Sequence, residues 1–243
     1  QAKSNFLAMV SHELRTPLTS IMAHAMLMCD QNGPLGSTLK QDVRDCAKRI
    51  HDSAMHLKGL IEGILQFSRI EAGRLELAFE TFELDSFADF MKSQGETLAS
   101  TYGVHFLFEP PPPGRQWVCD LQILRQVVIN LMANAFKFTS EGEVRVGLTL
   151  EGPVLRIAVC DTGIGIPANE LEKVFEPFYQ VSTGSTRRYG GAGLGLSIVR
   201  RLIHELGGEV TVWSRPGEGT CFTIRLPDRK MVADSPPVVK KTV

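Results

Sequence analysis

The chain has no run of eighteen apolar residues, no C-x-x-C pair and no excess of charge of either sign. The first absence argues against a membrane-spanning helix. With Gln1 rather than Met at the start and no signal-peptide pattern, the expectation is a soluble piece of a longer chain. Five cysteines, Cys29, Cys46, Cys119, Cys160 and Cys221, are scattered through 243 residues. That scatter points away from a zinc site or a disulfide framework and towards small buried hydrophobic side chains in a reducing compartment. A cytoplasmic location follows as the expectation, whether or not the parent protein is membrane-anchored. Lys and Arg number 26 against 27 Asp and Glu, and a net charge of -1 supplies no global field for nucleic acid or an anionic membrane. Neither partner is expected for this fragment. Two phosphate-binding patterns are also missing: there is no G-x-x-x-x-G-K-[ST], and no G-x-G-x-x-G, since the last glycine is lacking at 168 and at 196.

What is present begins with 43% apolar residues, enough to bury a sizeable core. Phe6, Val10, Leu14, Leu18, Ile21, Ala25 and Met28 fall at steps of three and four, one stripe of a helix. Breakers at residues 31 to 36 interrupt it, and a second stripe follows at Leu39, Val43, Cys46, Ile50, Leu57, Ile61 and Ile64, close to heptad spacing. Two amphipathic helices joined by a short turn make an antiparallel hairpin whose apolar seam is too large to cover alone. The expected completion is a dimeric four-helix bundle with a second copy of the chain.

Composition changes after Gly73. Alternation predicts strands over 75–82, 104–109, 143–150, 155–161, 209–214 and 220–226, and longer periodicity predicts helices over 84–102, 121–137 and 195–206. Strand pairs mixed with helices, without regular βαβ alternation, predict an α+β sandwich with one helical layer on a mixed sheet. The expected organisation is a first domain over 1–73, a second over 74–228, and a linker or tail over 229–243 with Pro236 and Pro237.

In FLAMVSHELRTPLTSI, residues 6 to 21, His12 lies about 160° around the helix from both Val10 and Leu14, so it faces away from the seam. Pro17 cannot donate its N–H, and its ring clashes with the Glu13 carbonyl. It either kinks the helix or starts a new one with Thr16 as its cap. The stripe continues in phase from Leu14 to Leu18 and Ile21, which favours one kinked helix beneath an exposed histidine. Further on, DTGIGI, residues 161 to 166, places Gly163 and Gly165 just after a strand, where backbone can approach a flat ligand. GGAGLGLSIV, residues 190 to 199, sets Gly191, Gly193 and Gly195 at the opening of a helix, whose amides can hold phosphate oxygens. Each cluster alone is also readable as a turn. Asn130, Asn134 and Lys137 form a polar line on an otherwise apolar helix: amide oxygens suit Mg²⁺ beside substrate phosphates, and a lysine neutralises those phosphates.

Ser11-His12-Glu13-Leu14-Arg15-Thr16-Pro17 resembles the H-box of sensor histidine kinases, and the resemblance extends from about residue 3 to 227. Asn130 with Asn134 resembles the N-box, Asp161 to Gly165 the first glycine box, Phe175 to Phe178 the F-box, Gly191 to Gly195 the second glycine box, and Gly217 to Thr220 a third. The ordered set is similar to the GHKL, or Bergerat-type, ATP-binding domain shared with gyrase, Hsp90 and MutL. The resemblance implies that His12 is the phosphoacceptor, Glu13 orients or deprotonates it, and Asn130 belongs to the catalytic set. It implies ATP and Mg²⁺ as cofactors: Asp161 accepts from the adenine amino group and Asn134 holds the metal. Lys137, Gly163, Gly165, Phe178, Gly191, Gly193, Gly195 and Thr220 line the nucleotide, with Val181 to Tyr189 as a lid. Ala192 stands where Thr or Ser is frequent, which removes one hydroxyl and leaves the glycine backbone intact.

The implied activity is ATP-dependent autophosphorylation of His12 in a homodimer, then transfer to an aspartate of a response-regulator receiver domain. Thr16, one turn after His12, matches the H-E-x-x-T spacing of members that also dephosphorylate the regulator, or else it caps the segment before Pro17. An upstream sensor domain is expected outside this chain. The receiver is either separate or downstream, where the Lys240-Lys241 lead-in suggests a hybrid kinase and a frayed tail is the plain alternative. A hydrolysing clamp competes with this reading, but those relatives carry glutamate at the position of Asn130, and an amide cannot act as that base. A dimer module that only binds partners is the third alternative.

Overall fold

The computed structural model describes residues 18–19, 21–23, 25–26, 28–29, 41–177, 179, 181 and 193–228. The chain divides into two compact units, Gln1–Leu75 and Glu76–Val243.

In the first unit the described residues between 18 and 29 are helical, and helix α1 runs Gln41–Glu71. The Cys29 thiol donates to the Arg44 carbonyl at 3.6 Å, which places the two helical segments side by side as a hairpin. After α1, Gly73 N–H donates to the Ile70 carbonyl and Arg74 N–H to the Arg69 carbonyl, both at 3.0 Å, a paired cap that satisfies the last turn. Among the described residues neither predicted stripe is buried as a whole. Leu18, Ala25, Ala47, Ala54 and Ile70 are buried, whereas Val43, Ile50, Leu57 and Ile64, seven residues apart, stay 40, 49, 49 and 42% exposed.

In the second unit a five-stranded sheet has the order β2-β4-β5-β7-β6, with β2 His105–Glu109, β4 Glu143–Glu151, β5 Val154–Asp161, β6 Glu209–Arg215 and β7 Gly219–Pro227. Only β2 and β4 are parallel. Alternate residues, Val144, Val146 and Leu148, Leu155, Ile157 and Val159, and Ile224 and Leu226, are buried on one face. Helices α2 Leu84–Tyr102, α3 Leu121–Phe138 and α4 Gly195–Glu205 supply the apolar residues of the other layer, with α3 packed against both α2 and α4. Asp120, 5% exposed, uses both carboxylate oxygens. Oδ1 accepts from Ile123 N at 3.0 Å as the α3 cap, and Oδ2 accepts from Ala78 N at 2.8 Å.

Two further expectations need correction. The strand predicted over 75–82 is shorter: β1 is Glu80–Glu83, because its partner among the described residues is the four-residue β3, Gln116–Cys119, which the proline run concealed. The cysteines are not all buried small hydrophobes, for Cys160 and Cys221 are joined by a disulfide across β5 and β7. Strand register brings together residues separated by 61 positions, which linear spacing cannot reveal.

Candidate functional site

Asp161 ends β5 and shares the parity of the inward-facing Leu155, Ile157 and Val159. Its Oδ1 accepts from Gly163 N at 2.9 Å and from Thr220 N at 3.2 Å. Oδ2 has no hydrogen bond among the described residues. Burial lifts the carboxyl from 3.8 to about 6, against the pull of the two amides. The loop after Asp161 is pinned at three points: Ile164 N donates to Phe138 O at 3.3 Å, Gly217 N to Ile164 O at 2.9 Å, and Ile166 N to Ser214 Oγ at 2.8 Å. Gly165 (φ 69°) and Gly219 (φ 109°) occupy backbone that other residues rarely adopt, and a Cβ on either would run into the Arg215 or the Asp161 carbonyl respectively.

Ser214, on β6, is a site residue that sequence reasoning missed. It is 8% exposed, accepts from Ile166 N and donates to the Gly219 carbonyl at 2.7 Å. Its single proton is thereby used, so in its 2.9 Å contact with Thr220 Oγ1 the threonine hydroxyl is the donor. Thr220 consequently presents lone pairs rather than a proton to anything else it meets. The available signal was one small polar residue closing a strand just before the Pro216-Gly217 turn.

On α3 the polar line is a connected pair. Asn134 Nδ2 donates to Asn130 Oδ1, and Asn130 Nδ2 donates to the Gly195 carbonyl at the start of α4, both at 3.4 Å. Gly195 is required by this approach, since a Cβ there would lie 2.7 Å from Asn130 Oδ1. Asn134 Oδ1 is left as a hard oxygen without a hydrogen bond among the described residues. Lys137 is half-buried, with Nζ 5.3 Å from the centre of the Phe138 ring, and burial lowers its pKa from the ordinary value. Phe175, in the predicted F-box, is a packing residue: it meets Phe222 edge-on at 6.1 Å, with Arg200 over its ring at 5.3 Å.

The structure therefore gathers Asp161, Gly163, Gly165 and Thr220 at one end of α3, and Asn130, Asn134 and Gly195 along it. Gly193 (φ 66°) lies two residues ahead of α4. His12, Glu13, Thr16, Phe178, Gly191 and the lid residues from 182 to 189 lie outside the described residues. Among the described residues no group of three or more His, Cys, Asp and Glu could hold a metal, and no helix is long and apolar enough to cross a membrane.

Residues 2–73 match the family described as the His Kinase A (phospho-acceptor) domain, and residues 119–230 match the histidine kinase-, DNA gyrase B- and HSP90-like ATPase. An uncharacterised sensor-like histidine kinase of Rhizobium meliloti is 37% identical over 246 residues, a match spanning 98% of this chain and 46% of the relative. The autoinducer 2 sensor kinase/phosphatase LuxQ of Vibrio parahaemolyticus is 38% identical over 248 residues, spanning 96% of this chain and 27% of LuxQ. Among solved structures, full-length ShkA in complex with AMPPNP superposes with a TM-score of 0.72 at 29% identity, covering 92% of this chain and 46% of ShkA. The chain spans less than half the length of each of these proteins.

Proposed function

The chain belongs to the histidine kinases, as a phosphoacceptor domain joined to an ATP-binding domain, and on that premise we propose that it transfers the γ-phosphoryl group of ATP to His12 and then to an aspartate of a response-regulator receiver domain. The observation that carries this reading is the Asp161 carboxylate. With Oδ1 held by two backbone amides, Oδ2 is available to an exocyclic amino donor, which adenine has where guanine has an acceptor. AMPPNP bound to ShkA, an ATP analogue, supports the same ligand class here. Gly163, Gly165, Gly191, Gly193 and Gly195 admit the nucleotide to the backbone, Phe178 and Thr220 line it, and Lys137 offsets phosphate charge.

Mg²⁺ fits the asparagine pair, because the Asn134 nitrogen is committed to Asn130 and its oxygen is left to coordinate. When bound, the ion would neutralise phosphate oxygens. Asn130 donates to a main-chain carbonyl. A glutamate in its place would set a carboxylate against that oxygen, which favours phosphotransfer to a separate acceptor over the water activation of the gyrase and Hsp90 relatives. His12 is the acceptor, Glu13 orients or deprotonates its imidazole, and Thr16 positions water for dephosphorylation of the regulator, an activity LuxQ carries in its name.

The exposed heptad residues Val43, Ile50, Leu57 and Ile64 support a homodimer, since a second copy of α1 would cover them. We place the core in the cytoplasm, between a sensor domain and a receiver that is either separate or part of the same parent chain. Incubation with ATP and Mg²⁺ should leave stable label on the protein, whereas phosphate release without label would mean a hydrolase. Thr16→Ala should keep the label on His12 and lose phosphatase activity; retained phosphatase activity in a folded variant would exclude the water-positioning role.

A further inference from the structure

We propose that Cys160 and Cys221 form a reversible thiol–disulfide site that sets the affinity of the adenine pocket, an inference that rests on the reading of Asp161 as the adenine contact. The two cysteines are opposite each other in the β5–β7 register, and the next pair along the same ladder is Asp161 opposite Thr220. Alternation sends Asp161 to the inner face with Leu155, Ile157 and Val159, and Cys160 to the outer face. Both cysteines are partly exposed there, within reach of small thiols, while the residues they adjoin carry the pocket on the inner face.

Asp161–Thr220 is the last pair of the ladder at this end. Terminal pairs open most readily. It is at this pair that Thr220 N–H holds Asp161 Oδ1, at 3.2 Å, and that the Thr220 hydroxyl meets Ser214. A covalent tie one pair back restrains the separation of Thr220 from Asp161, so the disulfide form keeps the carboxylate organised for the ligand and the dithiol form lets it loosen. The unit already has a buried core of its own, and a disulfide in a reducing compartment belongs to the sensing class rather than the structural one.

The chemistry is exchange with a low-molecular-weight disulfide such as oxidised glutathione. One cysteine thiolate attacks a sulfur of the small disulfide and expels one small thiolate. The second cysteine thiolate then attacks the protein sulfur of the mixed disulfide and expels the other. The protein pair gives up two electrons and two protons, and two small thiols carry them away.

The test uses the full chain equilibrated across ratios of oxidised to reduced glutathione. Mass spectrometry of a non-reduced digest reports the Cys160–Cys221 link, and calorimetry reports AMPPNP affinity in the same samples. The disulfide form should bind about fivefold or more tightly than the dithiol form, and Cys160→Ser and Cys221→Ser should each bind at the dithiol value in every buffer. Equal affinities of the two forms, or no link between these cysteines in any buffer, would overturn the switch. Asp161→Asn, measured alongside, separates the two layers: weak binding in both forms upholds the pocket whatever the cysteines do, and unchanged binding removes the pocket together with its switch.

Discussion

In the nucleotide unit Leu124, Val127, Leu131, Leu155, Ile157 and Ile224 are fully buried within one chain, whereas in the helical unit Val43, Ile50, Leu57 and Ile64 keep 40 to 49% of their surface in water. The nucleotide unit, closed by its own sheet and helices, holds the Asp161 carboxylate with its own backbone amides. The helical unit leaves its larger heptad residues uncovered. In the proposed reaction nucleotide recognition falls to the self-contained unit, and His12 to the unit whose heptad residues a second copy would cover.

The largest expected effect breaks the contrast outright. Ile50→Glu combined with Leu57→Glu puts like charges into the symmetric seam, and sedimentation should show a monomer whose nucleotide affinity is unchanged. A persistent dimer would mean that association uses another surface. Next in size, Asp161→Asn replaces an acceptor with an amide at the proposed contact to the adenine amino group. Losing a charge-assisted hydrogen bond costs about 1.5–3 kcal/mol, so calorimetry should show affinity lower by roughly ten- to a hundredfold, with the dimer intact.

A smaller effect is the pH dependence of the same site. Burial raises the folded pKa of Asp161 from 3.8 to about 6, so the folded chain binds this proton more tightly than the unfolded chain. Its contribution to the stability of the ligand-free protein is full below about pH 3.8 and is lost as pH rises through about 6. With the proposed Asp161–adenine contact, nucleotide binding has the opposite sign, because that contact uses the ionised carboxylate. Affinity should fall about tenfold from about pH 7 to about pH 5, and Asp161→Asn should flatten that step, phosphate titration being common to both proteins.

The same contrast governs what could be read in advance. Helix 84–102 and the strands ending at Asp161 and Pro227 carry their own periodicity, so local pattern located them to within a residue or two. The glycines around Asp161 and the Asn130–Asn134 spacing were visible for the same reason. β3 was not, because four residues after a proline run make no period and the strand exists only through its pairing with β1. Ser214, the use of Asn130 on the Gly195 carbonyl, and the Cys160–Cys221 link all depend on distant segments meeting. In the helical unit the heptad was legible, but which of its residues the chain would bury on its own was not, since that depends on how the helical segments meet.

The central claim, that the two units share one phosphoryl transfer ending on His12, is tested most directly by labelling the chain with γ-phosphate-labelled ATP, with His12→Gln in parallel. The account predicts label that is lost in acid and survives base, as a phosphoryl–nitrogen bond requires. It also predicts no label on His12→Gln and AMPPNP affinity equal to that of the parent. Label that survives acid and is lost in base, or that persists on His12→Gln, would contradict it.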